Sequence, residues 1–224
     1  MKFSYARQTI NSPNPIARLA HRNRLKKSIQ FVESLFPGGK ILDYGCGRGD
    51  FLLQLQSRKG HTCYGYEPFM EEKVDNVRIY RKINDIKQFA PFDGITLLET
   101  IEHLTEHEMD DFIFFAREVL SDRGKILISA PIEIGPALFI KEINRSLLIR
   151  FKFPEHRMGE LIYAAVFGIA AKRAEDVKIS HKGFDFRQAI RSLENKGLKI
   201  SILGYGPFPI RTWWGNSQVY FYAR

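Results

Sequence analysis

Ile41-Leu42-Asp43-Tyr44-Gly45-Cys46-Gly47-Arg48-Gly49-Asp50-Phe51 decides the fold of this chain. A short apolar run ends in three alternating glycines, and a helix-compatible segment follows at once. Glycine tolerates left-handed backbone and lets a ligand approach the chain closely, and open α/β sheets bind ligands beyond the carboxyl ends of their strands. The dinucleotide pattern Gly-x-Gly-x-x-Gly fails, because the sixth position counted from Gly45 is Asp50. Asp43, two residues before the first glycine, would repel a pyrophosphate and attract a cationic ligand.

Apolar runs of the same kind recur at Lys40–Tyr44, Thr62–Tyr66, Val77–Tyr80, Phe92–Leu98 and Lys125–Ala130, separated by helix-length segments. Such alternation is the signature of βαβ units and a parallel sheet. A helix over Phe186–Asn195 and strands near Leu198–Leu203 and Gln218–Tyr222 complete the set. The sequence therefore predicts an α/β fold with a Rossmann-like, seven-stranded, mostly parallel sheet over residues 40–224. Residues 1–39 read as a basic extension: a loose arm over residues 1–14, then a helix from Ile16 to Leu35 stopped by Pro37-Gly38-Gly39. Thr105 and Glu108 form a capping box, and the helix they open buries Phe112, Phe115, Ala116, Val119 and Leu120 before Asp122-Arg123-Gly124 ends it. Residues 134–180 break the rhythm and read as an inserted lid or substrate segment over the carboxyl edge of the sheet.

The composition, 44% hydrophobic and 26% charged over 224 residues, excludes disorder, collagen and coiled-coil arrays. The longest charge-free run among the apolar stretches, Leu161–Ala171, has eleven residues, against the roughly 20 of a bilayer span. Two cysteines without zinc spacing or a secretion signal read as reduced thiols of a cytoplasmic protein, Cys46 being a small neutral filler of the loop and no nucleophile. The net charge of +9 is split: residues 1–40 carry eight bases against one acid, residues 41–133 eleven against seventeen, and residues 134–224 fifteen against seven. Basic flanks around an acidic middle suit an acidic acceptor, an anionic membrane met peripherally, or RNA.

Asp43-Tyr44-Gly45-Cys46-Gly47-Arg48-Gly49 resembles the first motif of the class I S-adenosylmethionine-dependent methyltransferases, acidic-x-Gly-x-Gly-x-Gly. The resemblance covers residues 40–133 and the last 40. It implies S-adenosylmethionine as cofactor, with its methionine part over Gly45, Cys46 and Gly47 and Asp43 nearby. Glu67, 22 residues after Gly45, matches the second-strand acid that accepts both ribose hydroxyls, and Asp85-Ile86 the position that holds adenine. Glu99-Thr100-Ile101-Glu102-His103-Leu104 resembles the ubiquinone-type small-molecule O-methyltransferases, and the Pro-Pro-Tyr/Phe turn of nucleic-acid amino-methyltransferases is absent. Glu99, in reach of the cofactor, or His103 is the expected proton acceptor, since methyl transfer needs proximity, orientation and removal of the nucleophile's proton.

Glu99, Glu102 and His103 also share one face if the segment turns helically, where they would hold Mg²⁺ or Mn²⁺. That pattern resembles the metal motif of small-RNA 3′-end ribose methyltransferases, which implies a downstream fourth ligand, here His181. The leading expectation is O-methylation of a small, glycan-like or lipid-linked acceptor. The alternatives are a metal-dependent RNA ribose 2′-O-methyltransferase and a non-catalytic cofactor-binding regulator. His156 reads as a surface-loop histidine, and Trp213-Trp214 as core or interface.

Overall fold

The computed structural model describes residues 15–148, 156–178 and 180–224. The expected arm over residues 1–14 lies outside them. Seven strands form one sheet: β1 (Gly39–Tyr44), β2 (His61–Tyr66), β3 (Ile79–Tyr80), β4 (Phe92–Leu98), β5 (Leu120–Pro131), β6 (Ile200–Gly206) and β7 (Gln218–Ala223). Their spatial order is β3-β2-β1-β4-β5-β7-β6. The first five run parallel and β7 is antiparallel to both β5 and β6. The order reverses between β1 and β4, and the carboxyl ends of these two strands flank the crevice where a doubly wound sheet takes its ligand.

Helices cover both faces. On one, α1 (Pro15–Leu35) buries Leu25, Ile29 and Val32 with Phe36 against Ile41, Leu127 and the α2 (Asp50–Gln56) residues Phe51, Leu52 and Leu55. A Cβ on Gly94 of β4 would fall 2.6 Å from the Phe36 ring, so this close docking requires glycine there. On the other face, α4 (Glu106–Val119) sets Phe112, Phe115, Ala116 and Val119 on Ile95, Leu97 and Ile128, beside α7 (Phe186–Asn195) with Phe186 and Leu193. Thr105 caps α4 through its hydroxyl, and Glu108 returns the bond to the Thr105 amide at 2.9 Å, the box expected from sequence. The short α3 (Asn84–Lys87) follows β3, and α5 (Pro136–Leu148) and α6 (Met158–Phe167) follow β5.

Three boundaries differ from the sequence reading. The third strand keeps only Ile79–Tyr80, because Asn76 turns at φ +64° and Val77 packs beneath Gly49 instead of joining the ladder. Leu120 leaves the α4 helix and opens β5, pairing with Phe92 ahead of a register shift, so Asp122-Arg123-Gly124 lies inside a strand. The sixth strand is Ile200–Gly206, two residues later than expected at its start, because Leu198 still turns back to the Leu193 carbonyl.

Candidate active site

The glycine loop is held from two sides. The Gly45 and Cys46 amides donate to the Tyr66 carbonyl at 2.8 and 3.1 Å, and the Gly49 amide donates to the Cys46 carbonyl at 3.0 Å. Gly45 has φ +79°, and a Cβ on it would fall 2.6 Å from Thr100; Gly49 has φ +89° at the start of α2. Both positions require glycine, so the strand-to-helix turn keeps its amides close to the crevice. Cys46 is buried in the loop, and burial, reinforced by the charges of Asp43 and Glu67, pushes its thiol far above the usual range.

Asp43, next to last in β1, is buried, with Oδ1 accepting from the Thr96 hydroxyl at 2.6 Å. Burial raises its pKa to about 7 against the opposing pull of that hydrogen bond. Glu67 is buried too, and its carboxylate accepts from the amides of Gly47 at 3.0 Å, Phe69 at 2.9 Å and Met70 at 3.1 Å. A carboxylate offers about four lone-pair positions, and backbone occupies three here. The sequence reading gave this residue to the ribose alone; it also clamps the glycine loop.

These groups line one cavity of about 1200 Å³, which continues past Glu99 and Thr100 to Glu102, His103 and His181. That volume exceeds the roughly 300–1000 Å³ of ordinary small-molecule sites and has room for two ligands side by side. Asp85 and Ile86 do not reach its wall. Asp85 is exposed, Ile86 is fully buried in the core with its amide bonded to the Ile83 carbonyl, and Ile83, Asn84 and Lys87 line the cavity instead. The short α3 turn faces those residues inward, and a spacing argument cannot resolve a shift of one or two positions.

Glu99 sits just beyond β4 in left-handed backbone, φ +55°. Its carboxylate accepts from Arg24 at 2.9 Å, from the Ser129 hydroxyl at 3.2 Å and from the Gln218 amide, so α1, β5 and β7 converge on it. Three donors from three elements thus hold this carboxylate in place. The structure therefore separates Glu99 from the group it was expected to join.

That group is Glu102, His103 and His181, which offer ligand atoms all within 4.8 Å of one another. Ile101–His103 form a 3₁₀ turn that buries Glu102 and turns His103 inward. His103 Nδ1 lies 2.9 Å from the Val177 carbonyl, which holds a proton on Nδ1, so that in the neutral ring Nε2 carries the lone pair; Nε2 lies 3.2 Å from His181 Nε2. Burial lowers the His181 pKa to about 4, so its ring is neutral at pH 7. Both Glu102 carboxylate oxygens are buried without a hydrogen-bond partner. Burial, with Glu99 adding its charge, raises this carboxyl well above the ordinary range. An orphaned buried carboxylate facing two imidazoles fits a divalent cation, which would restore the charge that burial opposes.

Sequence reasoning missed four residues here. His21 and Arg24 of α1 line the cavity, hidden in a helix whose bases read as surface charge, and Gln218 is simply the first residue of a strand. Glu133 lies buried past β5, with Oε1 3.8 Å from His181 Nδ1 and an ion pair to Lys141. No local pattern announces any of them. His156, expected in a surface loop, is buried with Nδ1 3.7 Å from Glu142, because α6 begins directly after it and packs on α5. Trp213 packs on Gly135 and Gly168 beneath the Arg187 guanidinium, while Trp214 remains exposed.

The sequence profile of the methyltransferase domain family matches residues 17–165. This chain belongs to that family, and it is a class I S-adenosylmethionine-dependent methyltransferase. Methoxy mycolic acid synthase MmaA3 of Mycobacterium tuberculosis is 31% identical over 105 residues, a match spanning 42% of this chain and 36% of that relative. Among solved structures, the PH0226 protein of Pyrococcus horikoshii OT3 superposes with a TM-score of 0.62 at 16% identity, covering 98% of this chain and 96% of that one. DhpI, in complex with SAM and HEP, gives 0.57 at 14% identity over 98% and 92% of the two chains. The methyltransferase domain of bacterial CtHen1 gives 0.53 at 17% identity over 91% and 98%. These likenesses establish a common fold. Among the described residues, no helix is long and apolar enough to cross a membrane.

Proposed function

We propose that this methyltransferase methylates an oxygen of a small, glycan-like or lipid-linked acceptor, with His103 taking the acceptor's proton. One observation carries the reading: a single cavity joins the Asp43–Gly47 loop and Glu67 to His103, whose Nδ1 is bonded to the Val177 carbonyl. The bound cofactor supplies an electrophilic methyl group on a positively charged sulfur, open to in-line displacement. Asp43 attracts that cation, and Glu67 keeps the loop in shape while its free lone pair receives a ribose hydroxyl. Val177 holds the proton on His103 Nδ1, so that Nε2 receives a proton rather than giving one. Arg24, Ser129 and Gln218 fix Glu99 as a strut between α1 and the sheet. The lipid-linked form of acceptor is supported by the mycolic acid synthase relative, whose matched region is 36% of its length.

Calorimetry should give binding of S-adenosylmethionine and none of a nicotinamide dinucleotide, and His103→Ala should lower turnover by roughly 10² to 10⁴ with cofactor affinity kept. Unchanged turnover in His103→Ala would remove this histidine from the chemistry. Absence of turnover with every acceptor class would favour the regulator.

A second reading is favoured by the orphaned oxygens of Glu102: Glu102, His103 and His181 hold Mg²⁺ or Mn²⁺, which would bind and acidify the acceptor hydroxyl. The acceptor is then a diol such as an RNA 3′-end ribose. Equilibrium dialysis should find one ion per chain, lost in Glu102→Gln, and activity should vanish in chelator. Full activity in chelator, with no salt-dependent RNA binding, sinks this reading and leaves the base.

A further inference from the structure

We propose that the outer face of the α5–α6 hairpin is a docking surface for an anionic lipid bilayer, which presents the acceptor to the site. This deepens the lipid-linked form of the proposed function.

Helix α6 reads Met158-Gly-Glu-Leu-Ile-Tyr-Ala-Ala-Val-Phe167, apolar around its whole circumference except for Glu160. A helix of that kind belongs in a core or in contact with an apolar partner. Only one side is used inward: Leu161, Ala164 and Ala165 are buried. The opposite side exposes Met158 at 70%, Ile162 at 46%, Tyr163 at 58%, Val166 at 56% and Phe167 at 66%, with no charged residue among them. On α5, Phe139 and Ile140 are exposed as well, at 42% and 69%. A run of large apolar side chains facing water, with a tyrosine among them, is the make-up of an interfacial helix pair.

Charge selects the partner. From Ile134 to Phe167 the sequence carries Lys141, Arg145, Arg150, Lys152 and Arg157 against Glu142, Glu155 and Glu160. Lys141 is consumed by Glu133, Glu142 is buried beside His156, and Glu160 is paired with Lys182 at 2.7 Å. In sequence the bases of this stretch outnumber its acids five to three, a positive balance that an anionic bilayer complements and a second copy of the same segment opposes.

The face also lies beside the site. The Gly135 amide just past β5 donates to the Ala164 carbonyl at 2.8 Å, and Glu160 pairs with Lys182, the neighbour of His181. Docking of α6 on a headgroup layer would therefore hold the His181 side of the catalytic cavity near the lipid surface.

The test is sedimentation of the full chain with vesicles of phosphatidylcholine alone and of phosphatidylcholine with phosphatidylglycerol at 7:3, at low and high salt. Binding should require the anionic lipid and fall with salt. Val166→Glu with Phe167→Glu should weaken it at least tenfold, and Ile202→Glu, an exposed apolar control on β6, should leave it unchanged. The same variants are checked for cofactor affinity and thermal unfolding, because exposed positions should alter neither. No binding to anionic vesicles at low salt, or equal binding by the Val166/Phe167 double variant, overturns the proposal. So does a dimer in light scattering that the double variant abolishes without any vesicle binding, which would assign the face to a second copy. Vesicle docking without turnover of any lipid-linked acceptor would leave the surface standing and sink the acceptor reading alone.

Discussion

Replacing Glu67 by alanine separates a cofactor ligand from a loop clamp. In the structure its carboxylate accepts three amides, from Gly47, Phe69 and Met70. A hydrogen bond to a charged group contributes about 1.5–3 kcal/mol, so loss of a single ribose bond predicts a dissociation constant for S-adenosylmethionine raised about 10- to 150-fold. The amides cost something separately. They border the cavity, where water can replace the carboxylate, so we expect about 1–2 kcal/mol of lost stability rather than the full penalty of three buried orphan donors. Glu67→Gln keeps one carbonyl acceptor and should recover most of the stability but little of the affinity, since it loses the charge. Calorimetry and urea unfolding of both variants give the two numbers. A dissociation constant unchanged in Glu67→Ala, together with a lower unfolding midpoint, would refute the cofactor role and leave a purely structural clamp.

Asp43 predicts proton release on cofactor binding. Its pKa, raised to about 7 by burial, should fall when a cation enters the cavity. Calorimetry near pH 7 in buffers of different ionisation enthalpy should therefore show proton uptake by the buffer, absent in Asp43→Asn; equal heats in all buffers would exclude it. Without cofactor the sign runs the other way: the raised Asp43 pKa contributes stability at low pH that is lost as pH rises through about 7. Acid has the opposite effect through His21 and His181, both lowered from 6.5 to about 4 by burial. Their contribution is complete above about pH 6.5 and is lost as pH falls toward 4, so unfolding midpoints should drop across that window, and less so in His21→Gln; a drop of equal size in that variant would show that His21 does not contribute.

The sheet was legible because its strands are short, apolar and bounded by glycine or proline, and because Thr105 and Glu108 are a local signal that needs no tertiary partner. Errors fell where a tertiary contact outranked the local pattern. Val77 has the composition of a strand, yet its side chain fills the space under Gly49, and the ladder loses two residues to that contact. Leu120 keeps the helical spacing of α4, but its pairing with Phe92 begins a strand.

The same division runs through the site. Asp43, Gly45, Gly47, Glu67 and His103, all singled out from sequence, line one cavity because each lies within a few residues of a strand's carboxyl end, and strand ends converge in this topology. Arg24 and Gln218 were not singled out, since their meeting with Glu99 spans 75 and 119 residues. That meeting sets Glu99's surroundings. Read alone, Glu99 at a strand end is a free carboxylate and a candidate base; in the structure it is bonded to Arg24, Ser129 and Gln218, and the proposed role of proton acceptor is given to the histidine four residues later. His181 reaches His103 across 78 residues by a different route. The Arg173 guanidinium donates to the carbonyls of Ser180 and Lys182 on either side of it, and also to the Glu102 carbonyl. One side chain thus staples the two halves of the histidine pair together. A carboxylate becomes base, ligand or strut according to the cation beside it, and that cation arrives from an element that local sequence does not connect to it.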